Sequence, residues 1–180
     1  PEAPRQTLSL SFGRLWSAND PLADEVKLDW RQTYLRPQQR LFSWNAEFGY
    51  SHRKDSDLRS GVTATLGSYW ARPTKSGGRL SWNAQIGRTD TDSAALTHTA
   101  LSLGVQYTFS KPVLGATAQI ALSTQAKQYD DPLYGPDPRA DLGAVVSTSL
   151  VFTDFDTYGF APKLTLEARK TNSNVTRFET

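Results

Sequence analysis

The sequence contains no cysteine and no methionine. The absence of cysteine excludes disulfide bonds and thiolate metal sites. A chain that lacks even an initiator methionine is expected to be a processed or excised piece. No run of apolar residues approaches the roughly 18 that a transmembrane helix needs, and the mean hydropathy is −0.51. Strands of a membrane barrel alternate polar and apolar residues and give a similar average, so only helical spans are excluded.

The net charge is also small for a chain of this length. Twenty Lys and Arg residues against 18 Asp and Glu residues give a net charge of +2. This excess is too small to indicate a nucleic-acid-binding protein, and the sequence has no glycine-rich loop of the kind that cradles phosphates. We therefore expect no nucleic-acid partner and no nucleotide cofactor.

A seven-residue phrase occurs twice. Residues 43–49 read Ser-Trp-Asn-Ala-Glu-Phe-Gly, and residues 81–87 read Ser-Trp-Asn-Ala-Gln-Ile-Gly. In both copies every second side chain is apolar, which puts unlike residues on the two faces of a β-strand. One further strand lies between the copies, so they are expected to run in the same direction.

The same alternation predicts nine strands, and no segment of ten residues or more follows the helical period. They cover residues 8–16, 25–35, 40–52, 59–72, 79–89, 101–110, 115–127, 140–153 and 160–172. Thr176–Thr180 resembles the start of a tenth strand. The chain is therefore predicted to be all-β.

The length of these strands favours a membrane protein. Most have about ten residues or more, whereas strands of soluble proteins average about 5–6 residues and a tilted strand needs about 9–11 residues to cross a bilayer. Aromatic residues near the strand ends agree with this interpretation: Trp16, Tyr34, Tyr50, Tyr69, Trp70, Phe109, Phe152, Tyr158 and Phe160. We predict an antiparallel up-and-down transmembrane β-barrel. A soluble β-sandwich remains an alternative, since one face of its strands would build a core.

The connections between strands are predicted to differ at the two ends. Connections 17–24, 53–58, 90–96 and 128–139 are mostly long, whereas 36–39, 73–78, 110–114 and 154–159 are mostly short. Barrels of the bacterial outer membrane have long external loops and short periplasmic turns. The external end would collect Asp20, Asp24, Asp55, Asp57, Asp90, Asp92, Asp130, Asp131 and Asp137. The periplasmic end would collect Arg36, Arg40, Arg72, Lys75, Arg79 and Lys111.

The polar face of the strands provides the candidate functional residues. In a barrel this face lines the lumen. The candidates are Lys27, Asp29, Arg31, Asn45, Glu47, Asn83, Gln85, Gln106, Gln119, Glu167 and Arg169. Glu47, Glu167 and Asp29 are the carboxylates that an acid/base pair would require, but ion pairs with lysine and arginine or contact with lumen water explain them as well.

Other chemistry has little support. His52 and His98 lie near strand ends without a partner at catalytic or metal-binding spacing, and Asp130, Asp131 and Asp137 lack the spacing of an EF-hand. We therefore expect no catalytic residue, no metal and no cofactor, and hence a protein that is not an enzyme.

The C-terminal third carries a more specific signal. Pro138-Arg139-Ala140-Asp141 precedes a strand, Tyr158-Gly159-Phe160-Ala161-Pro162-Lys163-Leu164 opens the next, and Lys170-Thr171-Asn172-Ser173-Asn174-Val175 closes it. This order resembles the end of the barrel domain of the surface lipoprotein assembly modifier family, also called type XI secretion outer-membrane proteins. The resemblance covers residues 138–175, whereas residues 8–137 agree only in strand rhythm.

The resemblance implies an outer-membrane barrel, preceded in family members by a periplasmic helical domain, that helps to move lipoproteins or other client proteins to the surface of Gram-negative bacteria. Residues 1–180 would then be an incomplete barrel domain without the helical domain and the last strand. Its partners would be outer-membrane lipid and a client lipoprotein or secreted protein. A passive outer-membrane pore and a soluble secreted binding module are the alternatives.

Overall fold

The described residues form one antiparallel sheet of nine strands. The computed structural model describes residues 3–17, 20–132, 136–153 and 160–176. Each strand pairs with the next one along the chain, which confirms the predicted all-β, up-and-down arrangement. The strands are β1 (Arg5–Ser17), β2 (Asp20–Arg36), β3 (Arg40–Arg53), β4 (Gly61–Pro73), β5 (Arg79–Thr91), β6 (His98–Thr108), β7 (Thr117–Tyr129), β8 (Ala140–Val151) and β9 (Lys163–Ser173).

The strands are long. The shortest, β6 and β9, have 11 residues each, and β2 has 17. Eleven residues at about 3.3 Å per residue, tilted by about 45°, span about 25 Å. That distance matches the height of the apolar band on outer-membrane barrels.

The sheet has no hydrophobic core. Among the described residues, the buried apolar side chains are alanines, and no large side chain is fully buried. Leu10, Phe48, Leu66 and Leu103 are each at least half exposed. A sandwich would cover one face of the sheet with a second sheet, but the described strands all belong to one sheet. The sandwich alternative therefore has no support.

The turn predicted at 17–24 is wrong. β2 begins at Asp20, which pairs with Ser17, so only residues 18 and 19, outside the described residues, separate β1 from β2. Pro21 pairs with Trp16 on one side, whereas pairing with β3 begins only at Ala23. Pro21 thus lies where β2 has a single neighbour, and a missing backbone donor is tolerated there.

The predicted difference in loop length is also wrong. At one end of the sheet the connections are 18–19, 54–60, 92–97 and 130–139, and at the other they are 37–39, 74–78, 109–116 and 152–162. The longest connection thus lies at the end where short turns were expected, although its residues 154–159, with Tyr158 and Gly159, lie outside the described part of the chain. We call the first end the acidic end and the second the basic end, after the charges described below.

Three connections at the basic end have left-handed backbone conformations, one of them at Leu114 and Gly115, with φ values of 53° and 73°. The Ser-Gly-Gly turn predicted between β4 and β5 is present, and Gly77 there has a φ of 82°. Between β2 and β3, Gln38 and Gln39 have φ values of 62° and 56°, which costs a residue with a side chain about 1–2 kcal/mol.

The helical content of the described residues is small. A 3₁₀ turn covers Asp57–Arg59, and no helix there is long and apolar enough to cross a membrane. Of the predicted tenth strand, Thr176 is described outside any strand, and 177–180 lie outside the described residues.

Candidate functional site on a two-faced sheet

The strand register puts all the predicted lumen residues on one face of the sheet. One cross-strand row runs from Thr7 through Arg31, Asn45, Gly67, Gln85, Ser102, Gln125 and Gly143 to Thr171. The other candidates share its face because residues two apart along a strand point the same way: Lys27, Asp29, Glu47, Asn83, Gln106, Gln119, Glu167 and Arg169. That this polar face lines a lumen stays a prediction.

The register brings some of these candidates together and separates others. Asp29 lies directly opposite Glu47, and Arg31 lies opposite Asn45. Glu167 accepts a hydrogen bond of 3.0 Å from Arg169 on the same strand. Since β9 is six strands away from β3 in the sheet order, the three carboxylates considered for acid/base chemistry are not assembled. Along the central row, amide side chains alternate with glycine or serine in the order Asn45, Gly67, Gln85, Ser102, Gln125 and Gly143.

The repeated phrase has a structural role that the sequence alone did not indicate. An ideal Cβ on Gly67 would lie 2.6 Å from Oδ1 of Asn45, and one on Gly104 would lie 2.5 Å from Oδ1 of Asn83. The asparagine of each copy therefore lies over a glycine of the following strand. In the sequence these glycines follow the asparagines by 22 and 21 residues, but only the strand register shows that they are neighbours.

The opposite face is apolar and carries an aromatic belt near the basic end. Tyr34, Phe42, Trp70 and Trp82 lie side by side on β2 to β5. Their neighbouring ring centroids are 5.8, 4.4 and 6.2 Å apart. Aromatic belts of this kind lie at the water interfaces of membrane barrels.

Around the acidic end, acidic and basic side chains form ion pairs. Asp24 contacts Arg14 at 2.5 Å and Lys54 at 3.1 Å, which joins β1, β2 and the β3–β4 connection. Arg88 contacts Asp130 at 2.5 Å, and this hydrogen bond lowers the pKa of the Asp130 carboxyl. Because these groups are exposed, each pair adds little to stability. The pairs link Lys54 and Asp130, which lie in connections, to neighbouring strands.

The basic end has a different composition. The register and the turns place Arg36, Arg40, Arg72, Lys75, Arg79 and Lys111 there, as the sequence predicted. Among the described residues, none of these six side chains takes part in an ion pair. The two ends of the sheet therefore differ in charge compensation.

The family-like motif forms one corner of the acidic end. Asp141 accepts a 2.9 Å hydrogen bond from Nε of Arg139 and a 2.7 Å bond from the Ser173 hydroxyl. The Asn174 side chain accepts a bond from the backbone N–H of Ala140 and donates one to the carbonyl of Pro138. The residues that carry the resemblance thus hold the start of β8 against the end of β9.

The histidines do not form a site together. Nδ1 of His98 lies 2.8 Å from the carbonyl of Leu96, and its ring packs against Tyr129. His52 lies on β3, and its Nδ1 is 3.5 Å from the Ser60 hydroxyl. That hydroxyl accepts a hydrogen bond from the backbone N–H of Arg53. Within the described residues, no three His, Asp or Glu side chains come close enough to hold a metal ion.

Comparison with known proteins agrees with the resemblance and extends it. The family model for the surface lipoprotein assembly modifier matches residues 26–180, so the match begins in β2, well before the corner formed by Arg139, Asp141 and Ser173. No curated protein and no solved structure matches the chain.

Proposed function

Because the chain belongs to the surface lipoprotein assembly modifier family, we propose that it is part of an outer-membrane β-barrel that moves client lipoproteins, or other client proteins, to the bacterial cell surface. In this proposal the apolar face contacts lipid and the polar face lines the interior. The protein acts by forming a path and is not an enzyme.

The observation that carries the proposal is the exposure of large apolar side chains on a single-layered sheet. Leu28, Phe48, Leu66, Ile86 and Leu101 lie on one face of neighbouring strands, each between 42% and 55% exposed. In water such a face would favour aggregation. A bilayer would cover it without a second protein layer.

Closure of the barrel requires further strands. β1 and β9 are the edges of the described sheet, and both run in the same direction because an even number of strand reversals separates them. Direct pairing between them would therefore be parallel, whereas outer-membrane barrels of this kind are antiparallel with an even number of strands. We propose that β1 and β9 are joined through an odd number of additional strands.

The composition of the polar face supports this proposal. Apart from Arg31, its central row combines amide side chains with glycine, serine and threonine, and recesses of about 300 and 130 Å³ lie beside it around Ser102 and Gln125. Amide and hydroxyl groups form hydrogen bonds with a chain of any sequence. They are suited to contacts that a moving client makes and breaks.

Two measurements test the proposal. The intact protein should require detergent or lipid to remain soluble and should migrate differently on gels with and without heating. A protein that is monomeric in plain buffer would contradict the membrane assignment. Deletion of the gene should remove a lipoprotein from the cell surface while its total amount persists, whereas ion conductance in planar bilayers with an unchanged surface proteome would favour a passive pore.

A further inference from the structure

Three arginines form a row across the basic end of the apolar face. Arg36 on β2 lies directly opposite Arg40 on β3. The pairing of Leu41 with Ala71 brings Arg72 to the next position beside Arg40. We call Arg36, Arg40 and Arg72 the arginine row.

The arginine row is electrostatically unfavourable on its own. Adjacent strands are about 4.8 Å apart, and like charges directly opposite each other destabilise a sheet. All three side chains are exposed, and among the described residues no carboxylate forms an ion pair with them.

The arginine row and the aromatic belt surround a recess of about 250 Å³. Its walls include the three arginines together with Phe42, Trp70 and Trp82. The Arg72 guanidinium lies 5.7 Å from the ring centre of Trp82, which orients its planar fork. The recess therefore has a cationic side towards the end of the sheet and an aromatic side towards its middle.

We propose that this recess binds the phosphate headgroup of an anionic glycerophospholipid in the leaflet at the basic end. The inference rests on the proposed membrane function, because only a lipid-facing surface would present the recess to headgroups. Guanidinium groups match phosphate oxygens through paired hydrogen bonds, and aromatic residues prefer the depth of the headgroups. The lipid would neutralise the row while its acyl chains lie along the apolar face.

The occupant is a lipid because of the order of groups along the strands. An aromatic ring, Tyr34, Phe42 or Trp70, lies two residues from each arginine on the same face. The next row holds Gln32, Trp44 and Ser68, and the face then continues with exposed apolar side chains such as Leu66 and Ile86. Charge at the end of the sheet, rings beside it and apolar side chains farther in follow the order of layers in a phospholipid monolayer. An acidic polypeptide would use the arginines but leave the apolar part of the recess uncovered.

The test compares two triple variants of the intact protein in detergent. One replaces the arginine row (R36Q, R40Q, R72Q), and the control removes three other cations from the same end (K75Q, R79Q, K111Q). Lys75 and Lys111 lie in connections, and Arg79 lies on the polar face. Both variants therefore lose the same charge, but only the first alters the recess. Heat-modifiable migration verifies that each variant inserts.

Binding of short-chain phosphatidylglycerol, measured by native mass spectrometry and thermal shift, should weaken at least tenfold in the arginine-row variant and less than threefold in the control. Phosphatidylcholine, inorganic phosphate and polyglutamate should each bind the unaltered protein at least tenfold more weakly than phosphatidylglycerol. Equal losses of lipid binding in both variants would mean that the lipid is held by general electrostatic attraction and not by this recess, and would overturn the proposal. Equal binding of inorganic phosphate, or tighter binding of polyglutamate, would overturn the lipid assignment.

The two proposals fail differently. If the unaltered protein inserts but does not prefer phosphatidylglycerol, the headgroup site is wrong and the membrane function is untouched. If the unaltered protein is monomeric in plain buffer, the membrane function itself is wrong, and the headgroup site is wrong with it.

Discussion

Replacement of Leu103 by arginine tests the assignment of the two faces most directly. Leu103 is the central residue of β6 and is half exposed on the apolar face. Its row neighbours are Ala84 and Thr124, neither of which carries a charge that would neutralise a guanidinium. Either end of β6 is about 16 Å away along the strand. This distance exceeds the reach of an arginine side chain.

An arginine at the middle of the bilayer on the lipid face costs about 2–4 kcal/mol. The folded-to-unfolded ratio should therefore fall by roughly 30- to 700-fold. The depth-matched control is Ser102→Arg, since Ser102 is the preceding residue on the polar face and borders open recesses. We expect this control to lose less than about 1 kcal/mol, as is usual for a solvated surface position.

The assay is equilibrium unfolding in urea, with the intact protein folded into phosphocholine vesicles and the folded fraction read from heat-modifiable migration and tryptophan fluorescence. L103R should shift the midpoint strongly and S102R only slightly. Equal tolerance at the two positions, or greater damage from S102R, would refute the assignment of the apolar face to lipid.

Three further predictions concern the acidic end. Gly61→Ala should destabilise the β4–β5 pairing by about 1–3 kcal/mol, because a Cβ there would lie 2.1 Å from a backbone carbonyl oxygen. The control Gly13→Ala should be tolerated, because a Cβ at that position meets open space. The urea midpoints of the two variants test this difference. Arg88 lowers the pKa of Asp130, so the tie between them is fully present above the usual aspartate pKa of about 3.9 and lost as the pH falls through the lowered value. The protection of the Asp130 amide, which is its exchange rate relative to that of the unfolded chain at the same pH, should therefore fall over that range in the unaltered protein, whereas D130N should show a lower protection that does not change there. Asn174→Ala removes two hydrogen bonds at the β8–β9 corner, and each lost bond should reduce stability by about 0.5–1.5 kcal/mol. The loss should appear as faster hydrogen exchange of the Ala140 amide. Unchanged protection of that amide would contradict the structural role of the motif.

The alternation of side chains was sufficient to predict the strands. In β6, Leu101, Leu103 and Val105 alternate with Ser102 and Gly104, and the predicted segment 101–110 overlaps most of the observed strand. Period-two alternation depends only on neighbours along the chain, so a single sequence contains the information. The order of the strands also followed, because consecutive antiparallel strands usually pair.

The start of β2 shows where local reasoning failed. Asp20 and Pro21 are turn formers by composition, yet they lie in the strand because β1 alone pairs with them at that height. The stagger between neighbouring strands, which a sequence does not display, decides whether proline is tolerated. The same stagger lengthens some connections and shortens others, which removed the predicted difference between the two ends.

Contacts between strands were likewise out of reach of the sequence. The placement of Asn45 over Gly67 and of Asn83 over Gly104 depends on register. So does the corner in which Ser173 meets Asp141 across 32 residues of chain. The common face of the candidate polar residues, by contrast, follows from the alternation of side chains along each strand.

Because the lengths of the connections do not distinguish the two ends, the orientation of the proposed membrane barrel would depend on its charges. At the acidic end Asp24, Asp55 and Asp130 are each paired with an arginine or a lysine. At the basic end the arginine row is next to the aromatic belt and shares the apolar face with it. Anionic headgroups would stabilise such a row. The two ends would therefore differ in energy between leaflets of unlike charge, and this difference would orient the proposed barrel independently of the lengths of its connections.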